Sequence, residues 1–105
     1  MQIQINTDSN IERNDRLAQQ VEAVVRDALD LFSAQITRVE VNLSDANSDK
    51  KFGAEDKRCL LEARLAGLQP IAVSHAAATI EQAVDGAAEK MKRSLDSTLG
   101  RLGKR

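Results

Sequence analysis

The feature that most constrains this sequence is a pair of segments in which apolar and polar residues alternate. The first, "ITRVEVNL", places Val39, Val41 and Leu43 on one side of an extended chain, and "RCLLEARL" does the same over residues 59 to 65. Alternation of this kind is typical of strands that bury one face. Because a polar stretch separates the two segments, we predict a β-hairpin with a flexible loop at 44–57.

Two shorter segments predict the outer strands of the same sheet. "QIQIN" alternates near the N-terminus, with Ile3 and Ile5 on one side. "IAVS" follows Pro70, the only proline, which is acceptable at the first residue of a strand or on a sheet edge. We interpret "AGLQP", which precedes "IAVS", as a turn.

Two stretches follow the three- and four-residue spacing of an amphipathic helix. Asn14 is the predicted N-cap of the first, whose apolar stripe is formed by Leu17, Val21, Val24, Val25, Ala28, Leu31 and Phe32. Thr79 begins the second and forms a capping box with Gln82. The apolar residues of the second helix are Ile80, Ala83, Val84, Ala87, Ala88, Met91, Leu95, Leu99 and Leu102. We expect a frayed tail at 100–105.

The predicted element order is β-α-β-β-β-α, which is an α+β fold. Each strand has one apolar face and each helix one apolar stripe, so both helices should pack on one face of a four-stranded mixed sheet. The helical connection should make the first two strands parallel, and the hairpins should make the others antiparallel. With 105 residues, we expect a single domain over 1–105. The opposite sheet face should be open and polar, with Leu60 exposed.

The composition narrows the possible functions. Aromatic residues make up 2% of the chain, and Trp and Tyr are absent, which argues against base-stacking platforms and aromatic cages. One cysteine and one histidine are too few for a disulfide or a metal site built from nitrogen and sulfur ligands. We expect neither a signal peptide nor a membrane-spanning segment, because "MQIQINTDSN" lacks a basic flank and an apolar stretch and no apolar run approaches about 20 residues. We therefore expect a cytoplasmic protein with no cofactor, metal, membrane or small-molecule partner, and leave its oligomeric state open.

Catalysis is not expected, because the sequence pairs no base with a nucleophile. His75 lies in "VSHAAAT" before a helix, and we interpret it as a surface or turn residue. Cys59 alternates with apolar residues, which indicates burial rather than reactivity. An enzyme of this sequence would have to lose activity when His75 or Cys59 is substituted.

Positive charge is concentrated at the end of the chain. Residues 88–105 hold six basic side chains against two acidic ones, whereas the other residues hold nine against fourteen. On a helical period, one side is formed by Lys90, Arg93, Ser97, Arg101 and Lys104. Such a side can follow a phosphate backbone. Cations near a helix C-terminus also complement the helix dipole, so an ordinary solvated helix end stays open as the alternative.

The N-terminal "MQIQI" strand, the element order and "TIEQAVDGAAEKMKRSL" in the last helix together resemble a known family over nearly the whole chain. This is the short-form ribosome hibernation promoting factor and ribosome-associated inhibitor family. Ala83, Val84 and Asp85 match the family's Ala-Ile-Asp core. The charged run that follows the core is matched at Glu89, Lys90, Met91, Arg93 and Leu95.

The resemblance implies a non-enzymatic protein that binds the small ribosomal subunit and its RNA in the decoding channel. Occupying that channel blocks messenger and transfer RNA and keeps ribosomes idle under stress. Carried over by position, the RNA-contacting candidates are Lys90 and Arg93, followed by Arg101, with Lys104 on the same helix side. Arg26 on the first helix is added from helical geometry.

The sequence also departs from the family. Ser97, Thr98 and Leu99 stand where the family usually continues with a lysine-rich tail, and Glu81 stands where it commonly has an aromatic residue. Each lost phosphate contact weakens binding and its salt dependence. The alternative is a protein-interaction module of the same fold, which docks a partner or a second copy through the open sheet face. Salt separates the two, since RNA binding should fall steeply with salt and docking should change little.

Overall fold

The computed structural model describes residues 1–8, 11, 14–45 and 57–101. The elements in chain order are β1 (Gln2–Thr7), α1 (Asp15–Leu29), a 3₁₀ turn (Asp30–Phe32), β2 (Ile36–Asp45), β3 (Lys57–Leu65), β4 (Ile71–Ala77) and α2 (Ile80–Arg101). This order confirms the predicted β-α-β-β-β-α arrangement and the α+β fold.

The four strands form one sheet in the order β1-β2-β3-β4. β1 runs parallel to β2, with Ile5 beside Val41, whereas β2, β3 and β4 pair in antiparallel fashion. The mixed sheet is therefore as predicted. At the turn between β3 and β4, Gly67 has a φ of 74°, a left-handed backbone conformation that glycine adopts without steric cost.

Both helices cover the same face of the sheet and bury its apolar side chains. α2 packs against β3, β4 and α1. The largest fully buried side chains are Leu29, Leu43, Leu61, Met91, Leu95, Leu99, Val25, Val39, Val41, Val84 and Cys59. One continuous core thus lies between the sheet and the two helices.

Side-chain caps fix the starts of both helices as the sequence predicts. The Asn14 side-chain oxygen accepts a hydrogen bond from the backbone N–H of Leu17 at 2.8 Å. The Thr79 hydroxyl accepts one from the backbone N–H of Gln82 at 3.1 Å. Each cap satisfies a backbone donor that has no partner within its helix.

The predicted apolar stripe of α1 is wrong at its C-terminal end. Leu29, which the prediction omitted, is fully buried, whereas Leu31 is 80% exposed. The chain tightens into the 3₁₀ turn after Leu29, so Phe32, three residues later, faces the core and Leu31 faces solvent. Val24 lies at the margin of the stripe and is 36% exposed.

The loop predicted at 44–57 is shorter than expected at both ends. Ser44 and Asp45 belong to β2, and Lys57 begins β3. At the last paired position of the two strands, Lys57 Nζ and Asp45 Oδ2 form an ion pair at 3.2 Å. The predicted flexibility of the rest of the loop, including Phe52, concerns residues 46–56, which lie outside the described residues.

Two further predicted boundaries are also wrong. β4 continues past "IAVS" to Ala77, so His75 is a strand residue paired with Cys59 rather than a turn residue. α2 continues through Gly100 to Arg101, because the buried Leu99 keeps its last turn packed on the core. The remainder of the predicted frayed tail, residues 102–105, lies outside the described residues.

Candidate nucleic-acid interface

The basic side chains of α2 stand on a helix that is firmly packed on the core. Met91, Leu95 and Leu99 are fully buried along its inner side. Successive residues of an α-helix are rotated by about 100°, so one outer flank carries the set that we call the basic ridge: Lys90, Arg93, Ser97 and Arg101, all exposed. The ridge therefore has a fixed position relative to the sheet.

The C-terminal half of the ridge lines a shallow groove of about 370 Å³, which we call the arginine groove. It is lined by Ile71, Arg93, Ser94, Ser97, Thr98 and Arg101. Arg101 Nη1 donates a hydrogen bond to Ser97 Oγ at 2.8 Å, which orients its guanidinium along the helix. Guanidinium and hydroxyl groups are frequent phosphate ligands, so the groove presents the chemistry of a phosphate-backbone contact.

Arg93 also borders a second groove, of about 210 Å³. This groove lies on the side of Arg93 that faces away from the arginine groove. This groove lies between α2 and the 3₁₀ turn and is lined by Leu31, Phe32, Glu89, Lys92, Arg93 and Asp96. Within the described ranges, neither Lys92 nor Arg93 forms an ion pair. Lys92 was not among the predicted site residues because it lies off the ridge period, and it shares this groove with Arg93 because the 3₁₀ turn lies against α2 there.

Lys90, the first residue of the ridge, is engaged differently. Its Nζ donates a hydrogen bond to the backbone carbonyl of Ser74 in β4 at 2.9 Å. β4 is an edge strand, and its outward carbonyls need partners other than a neighbouring strand. Lys90 thus covers the sheet edge, and contacting RNA would require it to give up this bond.

The remaining predicted site residues do not join the ridge. Arg26 pairs with Glu22 one turn earlier on α1, at 2.9 Å. It lies on the flank of α1 away from α2, because the flank facing α2 is occupied by Leu17, Val21 and Val24. Lys104 lies outside the described residues.

The two residues on which an enzyme of this sequence would depend, His75 and Cys59, both pack against other elements of the fold. His75 lies directly against Gly86 of α2, where there is no room for a larger residue. Cys59 is buried, and burial raises the pKa of its thiol to about 12, which keeps the sulfur protonated and unreactive at neutral pH. The described residues hold no group of His, Cys, Asp and Glu side chains placed to bind a metal. Among those residues there is also no helix with the length and apolar character to span a membrane.

The open sheet face is the other candidate surface. Asn6 Nδ2 donates to Asn42 Oδ1 at 3.0 Å, which links β1 to β2 across this face. Among the described residues, two of its three arginines are held in ion pairs, Arg38 with Glu40 at 3.2 Å and Arg64 with Glu62 at 3.7 Å, and the third, Arg58, is exposed on β3. Leu60 is 40% exposed. Because two of its three described arginines are held in ion pairs, this face is less attractive to a polyanion than the ridge is.

Comparisons with known proteins agree with the family resemblance seen in the sequence. The family model described as Sigma 54 modulation protein / S30EA ribosomal protein matches residues 3–102. The N-terminal domain of Thermus thermophilus Protein Y is 20% identical, with a TM-score of 0.74, and the match covers 93% of this chain and 99% of that one. A ribosomal subunit interface protein from Coxiella burnetii is 16% identical, with a TM-score of 0.77, and the match covers 95% and 99%. No curated protein matches the chain.

The α+β fold, which both solved structures share, and the family match place this protein in the class of ribosome-associated factors. The family model covers nearly the whole chain. The protein therefore belongs to the Sigma 54 modulation protein / S30EA ribosomal protein family, whose members are ribosome-associated modulation factors and are not known as enzymes. The resemblance to ribosome hibernation factors is confirmed.

Proposed function

We propose that this protein binds the small ribosomal subunit in the cytoplasm and blocks translation by occupying the channel that messenger and transfer RNA use. The observation that carries this proposal is the arginine groove. Arg93 and Arg101 flank hydroxyl groups on a firmly packed helix, in a chain that belongs to a family of ribosome-associated factors.

The spacing of the two arginines favours a structured RNA. They are eight residues apart on α2, which is about 12 Å along a rigid helix. A flexible strand would lose conformational entropy to meet both guanidinium groups at once, whereas folded ribosomal RNA already holds its phosphates in place. The Ser97 hydroxyl, bonded to Arg101, lies between them.

The contributions of the site residues should not be equal. Arg93 and Arg101 are expected to contribute most, because neither is held in an ion pair within the described part of the chain. Lys90 should contribute less, since its ammonium group already donates to Ser74. Arg26 should contribute least because it is paired with Glu22 on the far flank of α1.

The proposed inhibition is steric and non-enzymatic. A single domain across residues 1–105 fills space that the substrates of translation require, so no covalent step is involved. Binding alone should therefore reduce translation, and the degree of inhibition should follow the fraction of subunits occupied.

Co-sedimentation with purified small ribosomal subunits over a salt series tests the proposal. The ridge variant is Arg93→Glu with Arg101→Glu, and its matched control is Arg58→Glu with Arg64→Glu, which makes the same charge change on the open sheet face. Each lost phosphate contact lowers the slope of log K against log salt by about 0.7 to 0.9. Two lost contacts should therefore weaken binding about 25- to 60-fold at 0.1 M salt.

The control should bind small subunits and inhibit translation in a purified system as the wild type does. If the sheet-face control loses binding and the ridge variant keeps it, the alternative of docking through the open sheet face is correct. If wild type does not bind at low salt, the proposed function is wrong.

A further inference from the structure

Residues 17–24 of α1 and the first turns of α2 border a groove that shares no residue with the basic ridge. It has a volume of about 440 Å³, larger than the arginine groove, and we call it the interhelical groove. Its lining is Leu17, Gln20, Val21, Ala23, Val24, Ile80, Glu81, Val84 and Asp85. Most of this lining is apolar, and Val24 is 36% exposed.

The charge at the rim of this groove is negative. Glu81 and Asp85 are exposed, lie one turn apart on α2, and form no ion pair with any described residue. Among the residues that the structure describes, no lysine or arginine lines the groove. Glu81 also complements the positive end of the α2 dipole, but that effect is confined to the first turn. Asp85 lies beyond that turn, so the dipole does not account for it.

The helix layer therefore has two ends of opposite character. The C-terminal half of α2 carries Arg93 and Arg101 beside hydroxyl groups, whereas the N-terminal half carries the carboxylates of Glu81 and Asp85 beside an apolar floor. RNA phosphates would be repelled by the acidic end. Over the described ranges, the arginine groove and the interhelical groove share no lining residue, so contacts to RNA in the first do not use the second.

We propose that the interhelical groove binds one amphipathic helical segment of a partner protein, with apolar residues on its inner side and Lys or Arg beside them. The groove runs between two packed helices, so a third helix can lie along it and bury its apolar side chains against Leu17, Val24 and Ile80. Glu81 and Asp85 are spaced by about 6 Å along α2, which matches basic residues one turn apart on the bound helix.

Titration with synthetic peptides, followed by backbone amide shifts of the isotope-labelled protein, tests this inference. The probe is a short helix-forming peptide with Leu on one side and Lys beside it. One matched peptide replaces Lys with Glu, and another replaces Leu with Ser. We expect the Lys/Leu peptide to shift the amides of Val24, Ile80 and Val84, and both matched peptides to bind at least about tenfold more weakly.

Protein variants separate this site from the ridge. Glu81→Lys with Asp85→Lys should weaken the Lys/Leu peptide about tenfold or more, because attraction at the rim becomes repulsion. Arg93→Glu with Arg101→Glu should leave peptide affinity unchanged while reducing binding to small subunits. Failure of ribosome binding and failure of peptide binding are thus independent results.

Several outcomes would overturn the inference. Equal binding of the Lys and Glu peptides would show that rim charge does not select the partner. Shifts confined to the open sheet face, or no binding, would remove the site. A dimer in sedimentation velocity that Val24→Glu dissociates would show that a second copy of the chain occupies the groove instead.

Discussion

Gly86 allows α2 to lie directly on β4, and an alanine at this position should destabilise the protein. A Cβ atom added to Gly86 would fall well inside van der Waals distance of Cδ2, Cγ and Nε2 of His75. The imidazole is a rigid ring on a paired strand, so it cannot move aside as the end of a flexible chain would. Either the helix or the ring must shift.

The size of the effect follows from two opposing contributions. Overpacking typically costs about 1 to 3 kcal/mol, and contact with three atoms of a rigid ring places this case in the upper part of that range, at about 2 to 3 kcal/mol. Replacing glycine by alanine inside a helix returns about 1 kcal/mol through helix propensity. Gly86→Ala should therefore lower the free energy of unfolding by about 1 to 2 kcal/mol. In a His75→Ala background the overpacking is absent, and the same change should raise it by about 1 kcal/mol.

Urea unfolding of the wild type, both single variants and the double variant measures these four values as a double-mutant cycle. The diagnostic result is a reversal of sign between the two backgrounds. If Gly86→Ala stabilises the wild type and the His75→Ala variant equally, the two residues do not interact, and the stated reason for Gly86 is wrong.

Three other predictions concern a cap, a buried thiol and the ridge. Asn14→Ala should reduce the free energy of unfolding by about 1 kcal/mol in urea, whereas Asn14→Asp should restore most of it, and equal losses would contradict the cap. Burial raises the pKa of Cys59 from 9.0 to about 12, so the unfolded state releases this proton first. The contribution of this shift to the free energy of unfolding is fully present below pH 9 and is lost as the pH rises toward 12. Cys59→Ala should reduce the decline of the free energy of unfolding over this pH range, and an unchanged decline would refute the prediction. Ser97→Lys adds one charge between Arg93 and Arg101 and should tighten small-subunit binding about five- to eightfold at 0.1 M salt, unless Ser97 faces away from the RNA.

The fold could be predicted from the sequence wherever a helix or strand has a clear residue pattern of its own. Alternation in β2 and β3 identifies the buried face, since one register places Val41 beside Leu61 in the core. Asn14 and Thr79 identify the helix starts because capping is local. The sequence pattern places Leu31 instead of Leu29 in the apolar stripe of α1. The change from α-helix to 3₁₀ turn depends on packing against the core, and the residue pattern there fits either leucine facing the core.

The candidate site was predicted less completely, because it depends on neighbours that are distant in sequence. Helical spacing correctly places Arg93 and Arg101 on one flank of α2. The bond from Lys90 to the carbonyl of Ser74 follows from β4 being an edge strand, which no local pattern of α2 indicates. Similarly, Lys92 meets Leu31 only because the 3₁₀ turn ends beside α2.

The central claim, that the ridge of α2 faces small-subunit RNA, is tested most directly with a tethered hydroxyl-radical probe. An iron chelate is attached to a cysteine introduced by Ser97→Cys or by Leu60→Cys, and the buried Cys59 should stay unmodified because its thiol is inaccessible and protonated. Binding through the ridge predicts strong cleavage of decoding-channel RNA from position 97 and weak cleavage from position 60. Strong cleavage from position 60 alone, or none from either position, would contradict it.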